Sequence, residues 1–338
     1  MKKLFVVWLL LATGVAWAGT EEDADAAYAR KDYVTALKNY KIVAEQGNVG
    51  AQLQVGIQYA EGRGVAQNDA EALKWFRLAA AQGDATAQYN VGVGYEKGRG
   101  VARDYAEALK WFRLAAAQGD ALAQYNLGVM YAKGRGVAQN DAEALKWFRL
   151  AVAQGDASAQ YNLGVMYENG QGLAQDYAEA LRWYKLAVAQ GHATAKSNLG
   201  VMYANGRGVA QDYAEALKWF RLAAAQGDAL AQYNLGVMYA KGRGVAQNDA
   251  EALKWYRIAA AQGDALAQYN LGVAYFNGDG VMTDYVKAHM WFNVAAAQDV
   301  GGATKSLGMA EQRMNRQQIV EAKKMASACQ AKQLKGCN

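Results

Sequence analysis

The 338-residue chain contains no proline, and only two cysteines and two histidines. Average usage is about 5% proline, so roughly 17 prolines are missing, and with them goes the collagen class. No segment approaches the roughly 20 apolar residues that a membrane helix needs, which excludes a transmembrane bundle. A large excess of one charge is lacking too: 36 basic residues face 31 acidic ones along the whole chain. That balance gives no basic footprint of the kind nucleic-acid binding requires. Cys329 and Cys337 sit eight residues apart near the C-terminus. In an oxidising compartment such a pair is expected to close as a clip against fraying, and without Cys-x-x-Cys spacing a redox pair is disfavoured.

What is abundant is order. Of 36 glycines, 28 recur at four fixed places in a 36-residue period, and seven of nine tryptophans, Trp75 to Trp291, fall 36 apart. So strict a period excludes a compact Rossmann or barrel enzyme and makes the chain a repeat array, in which each unit touches its neighbours. The units starting at Gly119 and Gly227 differ only at Phe148/Tyr256, Leu150/Ile258 and Val152/Ala260, as recent internal duplication would leave them.

Each unit holds two helical patterns around a loop such as Gly242-Arg243-Gly244. Helix A, about 229–241, places Ala231, Leu235, Met238 and Tyr239 on one face, the spacing of a buried stripe. Gly236 would cost about 1 kcal/mol against Ala in a free helix, so its recurrence implies close approach of a neighbouring helix. Helix B opens with a predicted capping box, Asp212 with Glu215. Its broad apolar face, Tyr213, Ala216, Leu217, Phe220, Ala223 and Ala224 widened by Trp219 and Leu222, demands cover on more than one side. Stacked helix pairs supply that cover, so the expected fold class is an all-α solenoid.

The ends depart from the pattern. Lys2 and Lys3, an apolar run and Ala16-Trp17-Ala18 predict a signal peptide over 1–18 cleaved after Ala18, hence an exported, periplasmic or secreted chain with 34 basic and 31 acidic residues. A capping helix pair is expected over 19–46, seven repeats over 47–298, and capping helices with a tail over 299–338. In that last segment Asn315 and Gln318 should cap a final polar helix.

The string Ala-Gln-Tyr-Asn-Leu-Gly-Val-Met-Tyr at 231–239, the Gly-Arg-Gly-Val loop at 242–245 and the helix B string at 213–227 resemble the Sel-one-like repeat, a relative of the tetratricopeptide repeat. The resemblance covers about residues 26–330. It implies a right-handed solenoid and an interaction scaffold, in bacteria often of the envelope or the host interface. One exported branch linked to penicillin-like molecules carries a cysteine pair in every repeat, and this chain has none there.

The candidate binding residues lie on helix A opposite its core. Asn90, Asn126, Asn162, Asn198, Asn234 and Asn270 recur with Val129, Val165, Val201 and Val237 and, at the helix end, with Lys97, Lys133 and Lys241. An Asn amide offers donors and an acceptor to an extended peptide. By resemblance to tetratricopeptide proteins, that Asn stands on the ligand face; alternatively each Asn bonds a neighbouring repeat's backbone and fixes curvature. On helix B a basic ridge, Lys74 to Lys254 followed by Arg77 to Arg257, could attract acidic glycans, while Glu71 to Glu251 three residues earlier favour local ion pairs. The Trp and Tyr rows read as core rather than a sugar platform, Asp84, Asp120, Asp156, Asp228 and Asp264 as helix A caps, His192 as a cap or surface residue, and His289 as buried and structural. No nucleophile elbow, His-Glu-x-x-His, P-loop or Cys with a nearby His appears. The expectation is a scaffold without catalysis or cofactor that binds a protein or peptide, the alternative a binder of peptidoglycan or acidic polysaccharide.

Overall fold

Helix pairs follow one another along the chain, seven of them closed by the same contact between a glycine and an aromatic ring. The computed structural model describes residues 20–332 and 337. The predicted signal sequence and its cleavage point after Ala18 lie outside the described residues. The chain divides into two compact units, residues 1–154 and 155–338. The first holds α1 (Glu21–Ala29), α2 (Tyr33–Glu45), α3 (Val49–Glu61), α4 (Asp69–Ala81), α5 (Ala85–Lys97), α6 (Tyr105–Ala117), α7 (Ala121–Lys133) and α8 (Asp141–Ala153). The second holds α9 (Ala157–Asn169), α10 (Tyr177–Ala189), α11 (Ala193–Asn205), α12 (Tyr213–Ala224), α13 (Ala229–Lys241), α14 (Asp249–Ala261), α15 (Ala265–Asn277), α16 (Tyr285–Ala296), α17 (Ala303–Glu311) and α18 (Arg316–Ala331). Among the described residues there are eighteen helices and no strand, a helical solenoid fold.

The close approach read from Gly236 is made by an aromatic ring. A Cβ built on Gly236 would lie 2.5 Å from the Tyr256 ring of α14, and one on Gly128 of α7 would lie 2.5 Å from Phe148 of α8. Glycine at this register lets the ring of helix B sit against the backbone of helix A, and so joins the two helices of a pair. Ala231, Leu235 and Met238 are buried beside it, with Tyr239 half-buried. The second loop glycine has its own reason: at Gly244, φ is +68° and a Cβ would stand 2.4 Å from the carbonyl oxygen of Tyr213, in the preceding repeat. No L side chain fits both demands.

Tryptophan joins one pair to the next. Trp219 of α12 packs on the core of α10 and α11, and Trp255 of α14 on that of α12 and α13. Within the first unit Trp147 packs on α6 and α7. The aromatic row is therefore part of the packing, with Trp291 only 3% exposed.

Two sequence expectations are corrected. Leu222 does not widen the buried face: it is 45% exposed, and Leu78, Leu114, Leu150, Leu186 and Ile258 at the same register are between 40% and 50% exposed. Successive layers cover helix B on the Trp flank and leave this flank to solvent. Nor do the helix B capping boxes close. Asp212 accepts from the backbone N–H groups of Ala214 and Glu215, but its own N–H already donates to the Tyr203 carbonyl at 2.9 Å. With that donor taken, the Glu215 carboxylate turns to Lys218 at 3.1 Å. The reciprocal box does form at Thr20 with Asp23 and at Asn315 with Gln318.

At the C-terminal end α17 and α18 pack on α16. His289 of α16 is fully buried, its Nε2 3.1 Å from Glu311 Oε1 of α17, and Lys323 of α18 approaches the same oxygen at 3.2 Å. These two partners hold the Glu311 carboxyl below its usual range, the His289 bond contributing most. Cys329 and Cys337 are joined in a disulfide whose two residues are buried in the same core cluster as Trp291.

Candidate functional site

Five of the helices A start from an acidic cap. Asp84, Asp120, Asp156, Asp228 and Asp264 accept from the backbone N–H three residues on at 2.6–2.7 Å, satisfying a donor that the first turn leaves open. His192 takes this place in α11, its Nδ1 accepting from Ala195 at 3.3 Å while the ring stacks on Tyr161 at 4.6 Å. Burial holds the His192 pKa below its ordinary value, partly offset by the nearby Asp156 carboxylate.

From that start the helix turns its Asn, Val and Lys positions to one side. Asn90, Asn126, Asn162, Asn198, Asn234 and Asn270 are half-buried, as are Val129, Val165, Val201 and Val237, while Lys97, Lys133 and Lys241 are exposed in the last turn. Asn90, Asn162 and Asn234 each donate from Nδ2 to the carbonyl four residues back in their own helix, at 2.8–3.0 Å. Asn198 bonds the Tyr184 hydroxyl, and Asn270 meets the hydroxyls of Tyr233 and Tyr256. Asn198 and Asn270 thus reach side chains of the preceding repeat, and glutamine reaches that repeat's backbone.

Except before Asn198, the residue two positions before each Asn is a buried glutamine. Gln88 Nε2 donates to the Ala80 carbonyl at 3.3 Å, and Gln118 Nε2 reaches both Gln88 Oε1 at 2.8 Å and the Gly83 carbonyl at 2.9 Å. In the second unit Gln232 donates to the Ala224 carbonyl and accepts from Gln262 at 2.6 Å, and Gln268 accepts from Gln298 at 2.6 Å. Where the repeat carries Lys196 instead, its Nζ donates to Gln226 Oε1 at 2.9 Å. This ladder went unread in the sequence, although its 30-residue spacing is printed there in every unit.

Pockets open between consecutive pairs on the Asn and Val side. Val201, Asn234 and Val237 line one of about 80 Å³. Asn90 and Val93 line one of about 70 Å³ in the first unit. Val237, Lys241, Asn270 and Val273 line one of about 420 Å³ between α13, α14 and α15. The predicted rows are thus brought together in pairs from adjacent layers.

The basic ridge is engaged internally. Lys74, Lys110, Lys146, Arg182, Lys218 and Lys254 all pair with the Glu three residues before them. Arg113, Arg221 and Arg257 donate to Tyr131, Tyr239 and Tyr275. A further charged contact appears where repeats depart from Ala at the helix A end: Glu168 accepts from the Tyr184 hydroxyl at 2.7 Å and pairs with Arg207 at 3.3 Å, and Glu96 pairs with Arg135 at 3.6 Å. Burial first, and then the Glu168 bond, raise the Tyr184 pKa. Among the described residues no cluster of three or more His, Cys, Asp or Glu side chains could hold a metal ion.

The Sel1 repeat model matches eight segments: 24–48, 49–84, 85–120, 121–156, 157–192, 193–228, 229–264 and 265–300. The chain belongs to the Sel1 repeat family. The first matched segment falls on α1 and α2, the pair read from sequence as a cap. A Sel1 repeat protein from Oxalobacter formigenes of known structure is 33% identical, with a TM-score of 0.66 over 71% of this chain and 96% of that one. A protective antigen of uropathogenic Escherichia coli displaying an SLR fold is 30% identical over 93% of this chain and 85% of that one, with a TM-score of 0.46. No curated protein sequence matches the chain. Sel1 repeat proteins generally act as non-catalytic protein-interaction scaffolds. In this one, no helix among the described residues is long and apolar enough to cross a membrane.

Proposed function

We propose that this chain is an exported scaffold that holds an extended segment of another protein along the helix A faces. The observation that carries the reading is the half-buried Asn and Val row, which lines pockets between successive pairs while glutamine satisfies the inter-repeat backbone. An extended chain carries a donor and an acceptor at every residue, and amides in register along a face can meet both. Export rests on the sequence of residues 1–18 and agrees with a bonded cysteine pair. The internal pairing of the helix B lysines and arginines weighs against an acidic glycan as the ligand.

The test is capture by residues 19–338 from envelope extract at low and high salt, beside a variant with Asn126, Asn162, Asn198 and Asn234 all changed to Ala. Asn162 and Asn234 lose bonds within their own helices and Asn198 one to the Tyr184 hydroxyl, all from half-buried positions, so the variant should keep its helical signal. Partner capture that survives high salt and disappears with the variant is the expected result. Capture lost only with salt, equally from both proteins, would overturn the reading in favour of an ionic surface.

A further inference from the structure

The pockets between layers repeat with the sequence, so they can be compared position by position. In α11–α13 the pocket is lined by Val201, Tyr213, Phe220, Asn234, Val237 and Arg243, and the Arg243 guanidinium lies 5.4 Å from the centre of the Tyr213 ring. Its volume is about 80 Å³. In the first unit the same register gives Asp69, Phe76, Asn90, Val93 and Arg99, and about 70 Å³. There too an arginine from the glycine loop lines the pocket, beside a carboxylate.

One repeat further along the second unit, the loop arginine is missing. Asp279 stands at the register of Arg243, and Asp249 at that of Tyr213, with Tyr256, Asn270 and Val273 completing the walls. The space grows to about 420 Å³. The smaller residue Ala274, where Met238 stands in the previous layer, does not account for this: Gly94 occupies that register in the first unit and the pocket there stays near 70 Å³. The missing guanidinium opens the cavity. At about 420 Å³ it falls within the range of ligand pockets, roughly 300–1,000 Å³.

The two carboxylates are left with neutral partners. Gln247 Nε2 donates to Asp249 at 3.3 Å and Asn277 Nδ2 to Asp279 at 3.1 Å. Among the described residues neither forms an ion pair, and Lys241 at the rim forms none with them. A planar cation would donate charge-assisted hydrogen bonds to both carboxylates and meet the rings of Tyr233 and Tyr256, which also line the cavity.

We infer that this cavity receives an arginine side chain presented by the partner's extended segment, in the place that Arg243 and Arg99 fill in the equivalent pockets. The inference rests on the reading of the helix A faces as a peptide-binding surface and names the chemistry of one bound residue. It also sets register, since of the three pockets compared one lacks its own arginine.

The test is titration of the full mature chain with two capped peptides, Ala-Ala-Arg-Ala-Ala and Ala-Ala-Glu-Ala-Ala, followed by ligand-observed NMR. The arginine peptide should bind saturably and lose affinity in high salt, the glutamate peptide should not bind, and Asp279→Arg should weaken arginine binding at least about tenfold. A second variant, Asp249→Tyr with Asp279→Arg, restores the residues of the preceding layer and should behave alike, with no loss in melting temperature for either protein. Absence of saturable arginine binding, or binding undiminished by Asp279→Arg in a folded protein, overturns the inference. The four-Asn variant keeps Asn270, so it separates the two ideas. Partner capture abolished by that variant with no arginine binding would sink the pocket and leave the peptide face standing. Arginine binding with capture untouched by the variant would do the reverse.

Discussion

At the scale of single residues, the variation between repeats is informative. His192 occupies a place held elsewhere by aspartate and can cap α11 only while Nδ1 is unprotonated. Its pKa is lowered in the fold, chiefly by burial, so the unfolded chain binds more protons as pH falls through the His range. The cap's contribution is present above the ordinary histidine pKa of about 6.5 and is lost as pH drops through the lower folded value. His192→Asp should remove that acid-side loss and match or exceed wild-type stability at neutral pH by up to about 1 kcal/mol. Thermal melts of both proteins between neutral and mildly acidic pH would show it. Parallel melting curves at every pH would contradict the assignment.

At the scale of a helix, the same sequence signature serves two different ends. Asp212 and Glu215 have the spacing of a capping box, yet the Tyr203 carbonyl holds the Asp212 N–H and only half the box exists. Asp212→Ala should therefore cost about 1 kcal/mol, while Glu215→Ala should cost only the exposed pair with Lys218, about 0.3–0.5 kcal/mol. Equal losses in denaturant unfolding would mean that the box closes after all. Much of each helix was legible because its causes lie inside one 36-residue unit: the stripe of Ala231, Leu235 and Met238, the acidic caps of helix A, and the glycine that needs a close neighbour. The rest depends on partners that a helical wheel does not contain. Whether Leu222 is covered is decided by the next layer, and the wheel gives Leu222 and Trp219 equal claims to burial. Gln232 went unread because its satisfaction comes from Gln262, 30 residues away, and from the Ala224 carbonyl. Asp249 and Asp279 look unrelated in the chain and face one cavity in the fold.

At the scale of the whole molecule, the C-terminal helices close the second unit by means that the repeats do not use. A buried histidine and a shared carboxylate hold α17 and α18 on α16, and a disulfide ties Cys337 back onto α18. Reduction, or Cys329→Ser with Cys337→Ser, should destabilise this end by roughly 2 kcal/mol and speed amide exchange in α18, while α11 to α14 exchange as before. Exchange that quickens evenly along the second unit would show that the clip serves the array as a whole. Each rung of the glutamine ladder is made from residues 30 and 35 apart, so a stretch of 36 residues brings its own donors and its own acceptors. Excising or inserting one such stretch inside a unit would leave no amide without a partner. Gene segments as alike as those encoding 119–154 and 227–262 invite unequal crossing-over, and the ladder makes its products foldable. Array length is then a quantity that lineages can change in whole steps, lengthening or shortening the protein's reach while every surviving contact stays as it was.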